Sequence, residues 1–196
     1  NGNLLWSRIN EIKIFKGKSL YTDNFYISVP HHTYKVDNYI FNGTTNYLEI
    51  YQNIAPQLAN SDFTIEFWAK INNLTPSYYH VVYQQGPSFA NGVYGENLSV
   101  YVRDYNTNKT ITIDYYGGGV SAIIDIDETQ WNHYAIVFDN STNPYFLIDA
   151  ITFYFNGVSK TNNPAPGYDS TYRFTATGNV GIGKNSNSDD LYFNGE

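Results

Sequence analysis

Ile123-Ile-Asp-Ile-Asp-Glu128 gathers three carboxylates into a short segment. In an extended chain Asp125 and Asp127 share a face, because successive side chains alternate. Glycoside hydrolysis uses a nucleophile and a proton donor about 5–5.5 Å apart on such a face. The position before them on that face is Ile123, however, and the segment runs straight into Trp131. It therefore reads as solvated acids closing a strand. Gly178-Asn-Val-Gly-Ile-Gly-Lys184 has the glycine and lysine spacing of a phosphate loop. Asn185 stands where Ser or Thr should hold magnesium, and no helix pattern follows, so a strand and turn are expected. Gly117-Gly-Gly119 is likewise read as a turn or a close backbone approach. His31 and His32 would point to opposite faces of a strand, and His80 and His133 have no partner at ligand spacing, so zinc is not expected. Cysteine is absent, and no Ser–His–Asp set stands out. The chain is read as a non-enzyme.

Binding chemistry is better represented. Asp139-Asn140 and Asp189-Asp190 are loop clusters of hard oxygen donors, the type calcium takes. Flat rings beside amides and carboxylates suit the stacking face and hydroxyls of a sugar. Tyr78-Tyr79, Asp104-Tyr105-Asn106 and Asp114-Tyr115-Tyr116 combine these groups. Tyrosine covers large area at low entropic cost and keeps a polar tip, which also suits protein contacts. Trp6 is a candidate interface anchor. Sequons at Asn42, Asn73, Asn97, Asn108 and Asn140 carry little weight in so asparagine-rich a chain.

The elements that must position these residues are strands. The chain has 196 residues, 42% hydrophobic and 18% aromatic, which excludes global disorder. It has 20 Tyr and 12 Phe but only 15% charged residues. Residues that favour long helices are scarce, whereas Tyr, Phe, Ile, Val and Thr favour strands. Net charge is −7, from 18 acids against 11 bases, so a nucleic-acid partner is not expected. No run approaches the roughly 18 apolar residues of a membrane helix, so no membrane insertion is expected. Without Cys there is no disulfide framework. Methionine is also absent, and the start lacks a signal-peptide pattern, as expected of a processed chain or an excerpt.

Strands are expected at 47–51, 63–70, 80–83, 98–103, 110–115, 121–126, 131–138, 151–155 and 158–160. Phe63, Ile65, Phe67 and Ala69 alternate onto one face. Asn156-Gly157 tolerates positive φ at both centres of a two-residue hairpin turn. Asn42-Gly43 and Asn91-Gly92 punctuate other turns. Residues 53–59 allow one short helical turn, and residues 17–40 read as an arm over the surface. Strand spacing with turn chemistry between predicts a two-sheet sandwich.

The order of these segments resembles the laminin-G-like domains of the concanavalin A-like lectin/glucanase superfamily. Phe41-Asn-Gly-Thr-Thr-Asn-Tyr-Leu-Glu-Ile50 resembles their opening strand, and Phe63-Thr-Ile-Glu-Phe-Trp-Ala-Lys70 the second signature. Trp131-Asn-His-Tyr-Ala-Ile-Val-Phe-Asp139 resembles the third, and Phe153-Tyr-Phe-Asn-Gly-Val158 the hairpin after it. Val180-Gly-Ile-Gly183 and Tyr192-Phe-Asn-Gly195 resemble the closing pair. The resemblance spans 41–195. It implies an all-β antiparallel jelly roll, places Trp68 and Trp131 in the core, and makes calcium at a loop rim plausible. Ile123 replaces the first acid of the glucanase strand.

In that family a final Ile-Asp-Glu-Val-Arg-Ile-Tyr strand follows the closing motif. Here its likeness, Ile9-Asn-Glu-Ile-Lys-Ile-Phe15, stands near the front. Lys16 to Phe25 resembles the tail that follows it in phage-type members. The two readings are one period of a tandem array, or a permuted or exchanged strand. Residues 1–29 are thus expected to be a strand and arm, with Ile9, Ile12, Ile14, Phe15 and Trp6 serving assembly, and residues 30–196 the jelly roll. The expected function is a non-enzymatic adhesion or structural module of an extracellular or virion-associated fibre or surface protein. Its expected partners are glycans or a cell-surface receptor, with self-association or tandem repeats. The alternatives are a purely structural repeat joined by strand or arm exchange and, more distantly, a polysaccharide-degrading hydrolase.

Overall fold

The computed structural model describes residues 8–16, 39–51, 61–74, 78–86, 97–105, 108–114, 119–139, 147–164, 178–184 and 192–195. Its strands are β1 (Arg8–Lys16), β2 (Tyr39–Asn42), β3 (Leu48–Ile50), β4 (Phe63–Ala69), β5 (His80–Gln85), β6 (Leu98–Tyr105) and β7 (Asn108–Asp114). There follow β8 (Gly119–Ile123), β9 (Asn132–Phe138), β10 (Ile151–Phe155), β11 (Val158–Lys160), β12 (Asn162–Pro164), β13 (Val180–Ile182) and β14 (Asn194–Gly195). One helical turn, Leu147–Ala150, precedes β10 and was not foreseen.

Two seven-stranded sheets result, in the orders β11-β10-β9-β4-β1-β2-β14 and β12-β8-β7-β6-β5-β13-β3. All the strand pairings are antiparallel, and the architecture is the all-β sandwich that alternation predicted. Phe63, Ile65, Phe67 and Ala69 are buried in the core between the sheets. They face Leu98, Val100 and Val102 of β6 and Ile111 and Ile113 of β7 within one cluster. Burying each large apolar side chain contributes about 1.5–3 kcal/mol. Aromatic pairs lie directly opposite each other in the register of β4 and β9. Phe63 stacks on Phe138 at 5.0 Å and Phe67 on Tyr134 at 4.8 Å, which adds stacking to burial.

The leading strand lies inside the first sheet. β1 pairs with β4 from Ile9 opposite Ala69 to Lys16 opposite Phe63, with Ile12 opposite Phe67 and Ile14 opposite Ile65. Its start also pairs with β2. β1 therefore joins β4 to the β2–β14 pair within one chain. Tyr39 and Ile40, read from sequence as arm, belong to β2, and residues 17–38 lie outside the described residues.

Trp68 and Trp131 are not core residues. Trp68 alternates away from Phe67 onto the outer face, half-buried against the His133 ring at 5.2 Å. Trp131 is half-buried immediately before β9. His133 has its Nε2 3.8 Å from Glu66 Oε2. β8 ends at Ile123, short of the expected 126, although the Ile124 N–H still donates to the Lys109 carbonyl of β7. The hairpin at Asn156-Gly157 has φ of 50° and 80°, as the two-residue turn requires. The 53–59 turn lies outside the described residues.

Candidate functional site

At one end of the sandwich the chain crosses between sheets from β2 to β3, from β4 to β5 and from β13 to β14. Asn42 closes β2. Its Oδ1 accepts hydrogen bonds from the backbone N–H of Thr44 (3.1 Å), Thr45 (2.8 Å) and Asn46 (3.0 Å), folding the turn around itself. Gly43 follows at φ 75°, and a Cβ there would lie 2.9 Å from the Asn194 Cβ. Only glycine meets both demands. The Tyr78 hydroxyl donates to the Gly43 carbonyl (3.4 Å) and accepts from the Tyr192 N–H (3.1 Å), tying the crossings together. The Asn194 N–H donates to His80 Nδ1 at 3.4 Å, and its carbonyl accepts from the Asn72 N–H at 3.2 Å.

These contacts frame a depression of about 220 Å³ lined by Asn42, Gly43, Thr44, Asn73, Tyr78, His80 and Asn194. No charged residue lines it among the described residues. The side chains of Thr44, Asn73 and Asn194 make no hydrogen bond among the described residues, and Asn73 is exposed at φ 56°. His80 is 1% exposed, flanked edge-to-face by Tyr78 at 5.0 Å and Phe193 at 6.2 Å. Burial lowers its pKa to about 4, so the ring is neutral at physiological pH. Because Nδ1 accepts, the proton belongs on Nε2, and that buried donor has no partner. The arrangement can offer amide, hydroxyl and imidazole hydrogen bonds beside an aromatic ring to an uncharged polar ligand.

A second cluster forms on the outer face of the sheet that holds β5 and β6. The core takes Leu98, Val100 and Val102, so alternation puts Tyr101, Arg103 and Tyr105 outward. The Arg103 guanidinium lies 5.1 Å from the Tyr79 ring, 5.7 Å from Tyr101 and 4.4 Å from Tyr105, and Nη1 donates to the Tyr79 hydroxyl at 2.9 Å.

The structure divides the residues proposed for sugar binding. Tyr78 lines the depression, whereas Tyr79 and Tyr105 hold Arg103 on the far side of the sheet. Asp104 is half-buried and registers opposite Lys109. Asn106, Tyr115 and Tyr116 lie outside the described residues. Of the calcium candidates, Asp139 is half-buried and donates its N–H to Ala150 at 2.8 Å, while Asn140, Asp189 and Asp190 lie outside the described residues. No group of three potential metal ligands occurs among the described residues. A single Asp139 carboxylate falls short of the six to eight oxygens calcium takes, so the described residues alone do not fit that ion. Trp6 is also outside them. Asp125 and Asp127 are exposed, and Asp127 accepts from the Thr129 hydroxyl and N–H, which lower its pKa. Sequence reasoning missed His80, Asn73, Asn194 and Arg103. The repeated Asn-Gly at 42–43 and 194–195 was the available signal for two of the turns that meet here.

Residues 42–196 match a laminin-G-type family model described as the concanavalin A-like lectin/glucanases superfamily. Compared with curated proteins, the sequence matches none. Among solved structures, the chain is similar to the native heptameric SAP-like pentraxin from Limulus polyphemus. The TM-score is 0.51 at 16% identity, covering 79% of this chain and 70% of that one. At that identity the likeness concerns the fold. No helix among the described residues is long and apolar enough to cross a membrane. With the family model matching residues 42–196, well over half of the chain, the chain belongs to the concanavalin A-like lectin/glucanases superfamily.

Proposed function

We propose that this is a glycan- or receptor-binding module, without catalytic activity, of an extracellular or virion-associated surface or fibre protein. The observation that carries the reading is the depression at Tyr78: free of charged residues among those described, framed by the sheet crossings, and lined by the unspent groups of Thr44, Asn73, Asn194 and His80. A polyhydroxylated, uncharged ligand matches those donors and acceptors, and one sugar unit suits the size. Superfamily membership supports a carbohydrate or other ligand. Calcium would add to this reading only through loop oxygens joining Asp139. Wild-type protein is expected to be retained on a neutral-glycan array, and Asn194→Ala and His80→Gln to lose at least about tenfold in apparent affinity, the scale of a missing polar contact. Absence of binding to any glycan overturns the reading.

A second reading is favoured by β1. A strand from the front of the chain fills a slot in the middle of a sheet, with seven registered pairs to β4. The same slot could take β1 from a neighbouring copy, making a structural repeat built by strand exchange with residues 1–29 as the arm and 30–196 as the receiving domain.

A further inference from the structure

We propose that Arg103, with Tyr79 and Tyr105, forms a second binding site, specific for a carboxylate-bearing saccharide. Acids outnumber bases in this chain, 18 to 11, yet no carboxylate among the described residues pairs with Arg103. In register, Arg103 lies opposite Thr110, with Asp104 opposite Lys109 and Asp114 opposite Ser99. Its charge is held by three ring faces and one phenol oxygen. Such contacts fix a guanidinium in place without cancelling its charge. Tyr79 and Tyr101 also lock each other edge-to-face at 4.9 Å, so the side chain is pre-organised before any ligand arrives.

Two features point outward to a ligand. Arg103 Nε is sealed from solvent and Nη1 already donates to Tyr79, so a ligand meets the guanidinium at its Nη1–Nη2 end. Tyr105, the ring nearest the guanidinium, is 47% exposed at the end of β6. A guanidinium matches the planar fork of a carboxylate, and the adjoining ring gives a pyranose a face to stack on. Together they select an acidic sugar over a neutral one. This site faces the opposite side of the sheet from the depression at Tyr78 and does not depend on it.

The test titrates the full chain with methyl β-glucuronide and methyl β-glucoside, by calorimetry and amide NMR. The wild type is expected to favour the glucuronide by at least about tenfold, and to lose that preference as NaCl rises and screening shortens to a few ångströms. Arg103→Gln removes the preference, and Arg103→Lys, with charge but no fork, keeps only part of it. Tyr105→Ala weakens both sugars alike at this site. Equal binding of the two sugars by wild type, or a preference that survives in folded Arg103→Gln, overturns the proposal. N-acetylglutamate amide competing as well as the glucuronide overturns its saccharide part. Should Arg103→Gln fail to fold, the wild-type salt dependence and Arg103→Lys decide the matter.

Discussion

At the scale of single residues, the interior holds polar atoms whose surroundings set measurable behaviour. Tyr134 is fully buried between Phe67 and Phe155, and its hydroxyl finds no hydrogen-bond partner among the described residues. Burial pushes its ionisation well above the usual phenol range. An unpaired buried hydroxyl costs more than it contributes, so Tyr134→Phe is expected to stabilise the fold by about 1 kcal/mol in urea denaturation. A variant less stable than wild type would reveal a partner for that hydroxyl. His80 makes stability depend on pH. The unfolded chain takes up a proton near pH 6.5, and the native ring resists until about 4. Between those values the unfolded state binds more protons, so stability is full above pH 6.5 and falls as pH drops towards 4. The total is about 3 kcal/mol, and His80→Gln should flatten that part of the profile in denaturation at stepped pH. Neither effect was legible beforehand. Alternation showed that Tyr134 and His80 lie in strands, but no local pattern tells whether a buried polar atom meets a partner from elsewhere in the chain.

At the scale of elements, most strands were legible because each writes its own signature. Phe63 to Ala69 alternates, and Asn156-Gly157 supplies the two positive φ angles that close its hairpin. The exceptions are the places where tertiary contacts override pattern. The turn Leu147–Ala150 follows no helical periodicity, and Trp68 lies outward although it sits among core residues in sequence. β1 is the element on which the first sheet turns. Without it, β4 loses seven registered partners and β2 loses its pairing to the sheet, leaving the β2–β14 pair held through the Ile71–Gly195 bridge. A chain of residues 17–196 is therefore expected to lack cooperative thermal unfolding, and to regain it when a peptide of residues 1–16 is added in trans. A 17–196 chain that melts like wild type without the peptide would show that the slot closes by other means.

At the scale of the whole molecule, two sheets joined by crossings at one end make up the sandwich, and the chain carries a net charge of −7. The two readings of its role differ in mass. Strand exchange predicts sedimentation as multiples of 22.4 kDa that grow with concentration, and a single species of that mass at all concentrations removes it. The β character, the order of the strands and the superfamily likeness were all determined by sequence alone, because alternation, turn residues and short aromatic motifs are local and each is written within a few positions. The two sites were decided by tertiary structure. Tyr78 and Tyr79 are neighbours in the chain yet serve opposite sides of a sheet, and Asn42, Asn73, His80 and Asn194 meet only because the chain crosses between sheets at one end. Such meetings depend on distances between remote segments, which no stretch of sequence records by itself.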